Sequence, residues 1–547
     1  MVRKRLLVGI LSCTGIAALS TLIGIQYTVN SKSNRYQSYG SGPLSSSTTD
    51  LIQSYFSAAV NGSKLLYLAS YSHTVPLTKA LDISEANNKP IYEYLGKTGY
   101  ILIDDQYGVP VFNDNGELSN VDQPIWSTNV ASANFRVDLG SFVTGIAVGQ
   151  FLNENMEYFA PNPNDKLTWA TYGGAPYSSV TSFMGGLQRG VEWFNKNVVP
   201  KNDKFKTVEQ VFIGHESEQN FSFTFDPSGG NNIIAKFLDM NVNVLIPIAG
   251  PQTSQAVRLI KQQNKKTVLI GVDSPLEEDD TVNLPLSLPA GTNVGNNKII
   301  QFSSVKNLDV LTSKITQAIN SPQTLRANAN NFKWNDVGGF GYSSIGNFDN
   351  GGVGVSNIGR NFFVNAMQLY TSTTSPHNDI QEQYDWAIAQ MSSLQDFKNL
   401  DLDENKSYIV GRHVYSYADI ANNGYPMVPI AGTRQDIENW YDQFYSTRSS
   451  RQKMARNKQV NLESLYAWID ARKATIDKRA EAMTEIPGTL TKSYWEKNHS
   501  LIKIIYQSPN NILFDHSFLE SCYKGLRQYW ETQGVYIPAP PSSSSGK

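Results

Sequence analysis

The chain is poor in cysteine and in charge, and both shortages exclude whole classes of protein. Its 547 residues include two cysteines, Cys13 and Cys522, which are too few for a disulfide scaffold or a cysteine-based zinc module. Charged residues make up 17% of the chain, and 46 Lys and Arg nearly balance 48 Asp and Glu. A nucleic-acid-binding protein normally carries a basic surplus. We therefore expect no nucleic-acid partner.

Sequence motifs for catalysis or for a bound metal are also missing. Residues 96–98 resemble the end of a phosphate-binding loop, but Ile91 stands where the first glycine belongs. Residues 401–412 begin like a calcium loop, but Lys406 replaces its glycine and Arg412 its final glutamate. The six histidines are scattered, and no Gly-x-Ser-x-Gly elbow occurs. These absences predict a protein that is not an enzyme and has no metal or cofactor, although a triad dispersed along the chain stays open.

The N-terminus carries a membrane-targeting pattern. Three cations in residues 2–5 precede an uncharged run from Leu6 to about Gln26, and roughly 21 residues at ~1.5 Å each span a bilayer core. The cations favour a cytoplasmic N-terminus, which places the rest of the chain on the extracellular face of the cell membrane. Two interpretations stay open. The favoured one is an uncleaved signal anchor, because the apolar run continues past Cys13; the other is a lipoprotein signal cleaved before a lipidated Cys13.

Between about residues 64 and 315, apolar runs rich in Val, Ile and Tyr alternate with stretches of helical spacing. Strands are predicted at 64–71, 99–105, 167–174, 208–215, 243–250, 267–274 and 298–305, and helices at 141–152, 176–196, 232–240 and 253–263. This alternation predicts an α/β protein with parallel strands covered on both faces, in which ligands bind at the carboxyl ends of the strands. From about residue 376 the sequence predicts mainly helices.

Several segments in the body of the chain occur in a recognisable order. They are GSFVTGIAVGQFL (140–152), SVTSFMGGLQRGVEWFN (179–195), FDPSGGNNIIAK (225–236), PIAGPQTSQAV (247–257), IGVDS (270–274), SSVKNLDVLTSKI (303–315) and NGGVGVS (350–356). Together they resemble the basic membrane protein family, whose members are substrate-binding components of ABC importers and often bind nucleosides. The low charge, the Asn-rich spacers and the long C-terminal extension are similar to mollicute lipoproteins of this family.

The resemblance implies a type I periplasmic-binding-protein fold, in which two doubly wound, Rossmann-like lobes are joined by a hinge and hold the ligand between them. The implied divisions are a signal anchor or lipoprotein signal at 1–30, a Ser-rich linker at 31–55, a first lobe at 56–133 and 275–330, a second lobe at 134–274 and 331–375, a mainly helical extension at 376–536, and a disordered tail at 537–547. In this arrangement Asp273 stands at the hinge and faces the cleft.

The resemblance also assigns ligand contacts to individual residues. Asp273 matches the family's ribose-binding aspartate, whose carboxylate accepts charge-assisted hydrogen bonds from vicinal hydroxyls. Lys306 matches the family's lysine, which donates to a ribose oxygen and neutralises that carboxylate. Phe225, or Phe223 if the register shifts, matches the ring that stacks on a base. Asp226 either contacts the base or caps the following helix, and capping is the favoured role.

The end of the first strand departs from the family. The Ser-Phe-Asn segment that supplies a second ring and polar contacts in the family is missing, and Tyr71, Ser72 and His73 stand there instead. A tyrosine ring stacks as well as a phenylalanine ring, so these residues can replace the lost contacts. The alternative is a loop without any role in ligand binding.

The leading hypothesis is a membrane-tethered solute-binding protein that closes its two lobes around a nucleoside, a purine being favoured, and then docks on an ABC importer permease. The alternative is a surface interaction protein that kept the fold and lost ligand binding. A surface hydrolase is a third class, and it rests only on the extracellular location.

Overall fold

A computed structural model of the chain describes residues 37–41, 48–60, 63, 65–69, 73–78, 80, 81, 95, 98–104, 108–112, 118–124, 130–176, 178–320, 337–339, 343–394, 397, 407–416, 435, 502–507 and 524. The strands are β1 (Gln37–Ser41), β2 (Leu65–Ala69), β3 (Gly99–Ile103), β4 (Gly108–Phe112), β5 (Leu118–Pro124), β6 (Val130–Phe135), β7 (Leu167–Gly173), β8 (Val208–Gln210), β9 (Val244–Ile248), β10 (Val268–Asp273), β11 (Ile300–Lys306), β12 (Ser343–Gly346), β13 (Val353–Val355), β14 (Ser407–Val410), β15 (His413–Ser416) and β16 (Ile502–Gln507). The helices are α1 (Thr48–Val60), α2 (Thr74–Thr78), α3 (Val137–Glu154), α4 (Met156–Phe159), α5 (Ser178–Asn197), α6 (Asn231–Asp239), α7 (Gln252–Gln263), α8 (Leu308–Asn320), α9 (Asn357–Thr371) and α10 (Ile380–Ser393).

These strands form two large sheets and two small hairpins. Within the described residues the first sheet has the order β1-β16-β2-β3-β6-β12, and all its neighbouring strands are parallel. The second sheet has the order β13-β11-β10-β9-β7-β8, and it is parallel except for the edge strand β13. The hairpins pair β4 with β5 and β14 with β15. This architecture confirms the predicted type I periplasmic-binding-protein fold.

The central strands of both sheets are buried apolar runs, as parallel strands covered on both faces must be. All residues of β3 and of β9 are buried, and so is β10 as far as its last residue, Asp273. The predicted positions of these strands agree with the structure to within a few residues. Strand β8 is shorter than predicted and ends at Gln210, because the chain beyond it folds into a closed loop around the side chain of Asn220.

Helices α3 and α5 pack with their backbones almost touching. Helix α3 is buried along nearly its whole length, against the second sheet and between α5 and α9. A Cβ atom added at Gly145 would lie 2.4 Å from the carbonyl oxygen of Leu187, and one added at Gly190 would lie 2.1 Å from that of Phe142. The spaced glycines of these two segments therefore serve helix packing, since a larger side chain would force the helices apart.

The chain passes between the two sheets at three places in the central part that the structure describes. It leaves β6 through Arg136 and enters α3, returns to the first lobe directly after Lys306, and crosses again between β12 and β13. Hydrogen bonds tie these crossings together. The amide of Arg136 donates to the carbonyl of Gly346 (2.8 Å), and that of Asn307 donates to the carbonyl of Gly352 (2.9 Å).

The positions of the last two crossings differ from the expected ones. Residues 275–330 are expected in the first lobe, but strand β11 pairs with β10 in the second sheet. Residues 331–375 are expected in the second lobe, but strand β12 pairs with β6 in the first. The physical reason is that any buried apolar run fits either sheet, and only backbone pairing with a neighbour decides which one it joins.

The region after residue 376 contributes to both lobes. Helix α10 packs on α9, and the hydroxyl of Tyr384 accepts a hydrogen bond from the amide of Val355 on the edge strand (3.3 Å). The hairpin of β14 and β15 contacts α5. Strand β16 lies in the first sheet between β1 and β2. The sequence analysis predicted helices here and did not predict these three strands.

Several predicted features lie outside the described residues. These are the segment Leu6–Gln26, the lipidation site Cys13, the ligand candidates Tyr71 and Ser72, and the tail 537–547. Among the residues that are described, no helix combines the length and the apolarity needed to cross a membrane.

Candidate functional site

Three charged side chains meet between the two lobes. Asp273 is the last residue of β10, Lys306 is the last residue of β11, and Asp104 directly follows β3 of the first sheet. The Nζ atom of Lys306 lies 2.6 Å from Oδ1 of Asp104 and 2.9 Å from Oδ1 of Asp273. Lys306 therefore contacts one carboxylate from each lobe. We call these three residues the charged triad.

Both aspartates hold the backbone in the left-handed region. The angle φ is 75° at Asp104 and 71° at Asp273, a conformation that aspartate and asparagine adopt more readily than bulkier residues. Each aspartate stands at the end of a buried apolar run, so the sharp turn marks the end of the strand. The sequence thereby leaves a carboxylate at the carboxyl end of one strand in each sheet, where α/β proteins bind ligands.

The three side chains differ in their exposure. The side chain of Lys306 is 4% exposed, that of Asp104 is 12% exposed, and that of Asp273 is 24% exposed. The Oδ1 atom of Asp273 is itself buried and lies 2.9 Å from the Lys306 ammonium. Asp273 is therefore paired with the lysine and is at the same time the most exposed member of the charged triad.

Burial and the neighbouring charges shift the pKa values of Asp104 and Lys306. Burial raises the pKa of the Asp104 carboxyl to about 6; the Lys306 ammonium opposes this rise, and the Asp273 carboxylate adds to it. For Lys306, burial by itself lowers the pKa, but the two carboxylates outweigh burial and raise the pKa above its usual value. The lysine is therefore charged at every physiological pH, whereas the charge of Asp104 changes near pH 6.

Helix α5 places an aromatic ring beside the ammonium. The Nζ atom of Lys306 lies 5.4 Å from the ring centroid of Phe183, a distance at which cation and ring attract each other. Phe183 is buried, near the beginning of α5 and close to the carboxyl end of β7. Its ring therefore helps to hold the lysine between the two carboxylates.

The three alternating phenylalanines of residues 221–225 have different surroundings. Phe221 is buried, and Phe225 is partly buried against the core. A Cβ atom added at Gly174 would lie 2.4 Å from the ring of Phe225, which places that ring on the backbone just beyond the end of β7. Phe223 is 60% exposed and has a left-handed backbone with φ of 54°. Of the two sequence candidates for a stacking ring, Phe225 therefore lies at the strand end and Phe223 lies in solvent.

Asp226 stands at the position predicted to cap the following helix. It precedes the short 3-10 helix Pro227–Gly230, but its side chain makes no capping bond to that helix. Its carboxylate instead accepts a hydrogen bond from the hydroxyl of Thr224 (3.0 Å), and its amide donates to the same hydroxyl (3.0 Å). The side chain thus stabilises the loop.

His73, which follows β2, lies inside the first lobe. Its ring is fully buried, and its Nδ1 atom lies 2.6 Å from the hydroxyl of Tyr55. Burial lowers the pKa of His73 to about 3, so the ring is neutral. This residue is part of the interior of the first lobe and adds no charge to the cleft.

Asp273 and Lys306 are predicted site residues, whereas Asp104 is not among the residues predicted from the sequence. The signal was present, because Asp104 ends a predicted strand and residues after such strands are the ones to inspect. It was passed over because its partner lysine is distant in sequence and belongs to the other sheet.

Comparison with known proteins gives a family match and two curated relatives. The family model described as ABC transporter substrate-binding protein PnrA-like matches residues 13–336. The chain is 28% identical over 371 residues to the uncharacterized lipoprotein MG040 of Mycoplasma genitalium, a match that covers 60% of this chain and 60% of that protein. It is also 28% identical over 362 residues to the MG040 homolog of Mycoplasma pneumoniae, covering 57% of this chain and 52% of that protein. The chain thus spans little more than half the length of these relatives.

Comparison with solved structures gives matches of low similarity. A solute-binding protein of an ABC transporter system from Aeropyrum pernix K1 has 18% identity and a TM-score of 0.37, with 65% of this chain and 77% of that chain covered. One from Conexibacter woesei has 12% identity and a TM-score of 0.32, with 64% and 86% covered.

Proposed function

We propose that this chain, which belongs to the family of PnrA-like ABC transporter substrate-binding proteins, binds an uncharged ligand with vicinal hydroxyls between its lobes. A purine nucleoside is the first candidate. The protein would hold the ligand by lobe closure and deliver it to the permease of an ABC importer, without covalent chemistry.

The observation that carries this proposal is the charged triad between the lobes. A vicinal diol offers two donors at short spacing, which a single carboxylate can accept as charge-assisted hydrogen bonds. Asp273 suits that role because its side chain is the most exposed of the three and stands at the end of β10, at the edge where the ligand would bind. Lys306 pairs with Asp273 and is itself held by Asp104, so the position of the Asp273 carboxylate is fixed before the ligand arrives.

An aromatic ring would complete the contact with a base. Phe225 lies at the carboxyl end of β7, on the same edge of the second sheet as Asp273 at the end of β10. Stacking of a base on such a ring contributes about 1–3 kcal/mol. A ligand that combines a flat ring with a diol therefore suits the two kinds of group on this edge.

The charge of the triad favours neutral ligands over anions. Two carboxylates and one ammonium leave one negative charge when both acids are ionised, in a site where burial weakens screening. A phosphorylated ligand would be repelled. We therefore expect nucleosides to bind and nucleoside monophosphates to bind much more weakly.

Closure would use the crossings between the lobes as the hinge. The hydrogen bonds from Arg136 to Gly346 and from Asn307 to Gly352 keep the crossings in register, while small changes of φ and ψ along them would open the cleft. A ligand that bridges both lobes shifts the equilibrium toward closure by its extra contacts in the closed form.

The proposed location is the extracellular face of the cell membrane. The apolar run Leu6–Gln26 after three cations supports a tether, and the two curated relatives are named lipoproteins. Whether an uncleaved helix or a lipid on Cys13 provides the tether is decided by mass spectrometry of the mature N-terminus.

The test is a thermal shift of the full-length chain in detergent with nucleosides, monophosphates, free bases, sugars and amino acids. A ligand at a hundred times its Kd stabilises by roughly 2.7 kcal/mol, which shifts Tm by a few degrees in a protein of this size. Asp273→Asn should abolish the shift. Asp280→Asn, a matched change of an exposed carboxylate in the same lobe, should leave it intact.

Two results would overturn the proposal. The absence of any shift across the panel would transfer the function to surface interaction on a retained fold. Conversion of a nucleoside to its base and sugar during long incubation would instead indicate a hydrolase.

A further inference from the structure

The hairpin of β14 and β15 lies against the second lobe through specific contacts. The amide of Ile409 donates to Oε1 of Gln188 on α5 (2.8 Å). The Nη1 atom of Arg412 lies 3.1 Å from Oε1 of Glu216. Gly411 has φ of 59°, and a Cβ atom added there would lie 2.5 Å from the backbone carbon of Glu216. The tip of the hairpin therefore touches both the side chain and the backbone of Glu216.

Glu216 belongs to a loop that is closed by one buried side chain. The side-chain amide of Asn220 donates to the carbonyl of Glu216 (3.3 Å), and its Oδ1 atom accepts from the amide of Ile213 (3.0 Å). Asn220 is fully buried. These hydrogen bonds connect the backbone of Glu216 to Asn220, which leads directly into the chain that follows.

That following chain carries the candidate stacking ring. The amide of Ser222 donates to the carbonyl of Gly173 at the end of β7 (2.9 Å), and its hydroxyl donates to the carbonyl of Thr224 (2.9 Å). The side-chain amide of Gln252 donates to the same carbonyl (2.8 Å). Phe225 comes next in the chain, so its position depends on a loop fixed at both ends.

We propose that the hairpin 407–416 positions the ligand-binding loop 213–226, with Gly411 and Arg412 acting on Phe225 through Glu216 and Asn220. The hairpin would then take part in ligand binding through the loop that it contacts. The expected effect on ligand affinity rests on the proposed function. The expected effect of the hairpin on the loop rests only on contacts within the chain, and it is measured without ligand.

The first experiment is hydrogen–deuterium exchange of the full-length chain without ligand. Gly411→Ala should speed exchange in peptides covering 213–226 by about tenfold or more, because the added methyl group meets the Glu216 backbone. Arg412→Ala should speed it by about two- to fivefold, as expected for an exposed ion pair. The Arg412→Glu, Glu216→Arg double variant restores the pair with reversed charges and should return exchange toward the wild-type rate.

The matched control is Lys166→Ala. Lys166 pairs with Glu209 at 2.8 Å, with exposure similar to that of the Arg412–Glu216 pair, and it lies at the amino end of β7 and β8. Its removal should leave exchange in 213–226 unchanged. Unchanged exchange in Gly411→Ala overturns the inference whatever the ligand is; if that variant does not fold, unchanged exchange in Arg412→Ala overturns it.

The second experiment measures affinity for adenosine and guanosine by titration calorimetry. Arg412→Ala should weaken binding by about two- to fivefold and the double variant should restore it, while Tm of the ligand-free protein stays within a degree or two. Faster loop exchange with unchanged affinity would overturn the positioning role. If the variants exchange faster in the loop but the wild-type protein binds neither nucleoside, the contact between hairpin and loop is supported and the proposed function is overturned instead.

Discussion

Lys306 ends a strand of the second sheet and Asp104 follows a strand of the first, yet the ammonium of Lys306 lies 2.6 Å from the carboxylate of Asp104. Lys306 also stands at the point where the chain leaves the second lobe for the first. The ion pair therefore joins the two lobes beside the crossing segments, and it links the charge state of the cleft to the contact between the lobes.

Replacing Lys306 by methionine should strongly destabilise the protein. The change leaves Asp104 and Asp273 close together without the cation between them, and removing one partner of a buried ion pair costs about 3–5 kcal/mol. Urea unfolding at pH 7 measures the loss. Lys298→Met breaks a pair with the exposed carboxylate of Asp280 and should cost under about 1 kcal/mol. Equal losses of unfolding free energy in the two variants would show that the buried triad stabilises the protein no more than the exposed pair does.

The stability of the protein should depend on pH through Asp104. Its folded pKa of about 6 lies above the usual 3.8, so its favourable contribution is fully present below pH 3.8 and is lost as pH rises through 6. The loss amounts to roughly 3 kcal/mol. Urea unfolding at pH 4, 5, 6 and 7 should show a steeper decline for the wild type than for Asp104→Asn. Parallel profiles would contradict the raised pKa.

Phe225 and Phe223 should differ in their effect on ligand binding. Loss of a stacked ring costs about 1–3 kcal/mol, so Phe225→Ala should weaken nucleoside affinity by roughly ten- to a hundredfold. Phe223→Ala is the matched control and should change affinity less than about twofold, since its ring is 60% exposed. Titration calorimetry compares the two variants. A larger effect at Phe223 would move the stacking contact to the exposed ring.

The close contact of α3 with α5 should not tolerate a methyl group at Gly190. The added Cβ atom would lie 2.1 Å from the carbonyl oxygen of Phe142, and the resulting helix displacement costs about 1–3 kcal/mol. At Gly140 of α3 the nearest atom would be 3.4 Å away. Gly140→Ala should therefore cost little, and it gains helix propensity. Thermal unfolding that ranks the two variants in the opposite order would contradict this packing.

Much of the fold was predictable because its elements are local. Buried parallel strands appear in a sequence as short apolar runs, and β9 and β10 were found within a residue or two at each end for that reason. The family resemblance rested on ordered segments of the same region, and the family match over residues 13–336 confirms it. The resemblance points to Asp273 and Lys306, and each of them stands at the end of such a run.

Membership of a strand in one sheet or the other was not predictable in the same way. Strand β11 was assigned to the first lobe, whereas its backbone pairs with β10 in the second sheet. The connection from residue 274 to 299 contains a short 3-10 helix and no α-helix, so it lacks the periodic signal of an ordinary crossover. An apolar run carries no information about which neighbour it will pair with.

The sequence by itself determined where the central strands and helices form and which charged residues stand at the strand ends. Tertiary structure decided which of those charges meet: Asp104 with Lys306 across the lobes, and Arg412 with Glu216 at the hairpin. The physical reason is that strand and helix patterns arise from neighbours within a few residues, whereas an ion pair between distant segments depends on how whole sheets pack.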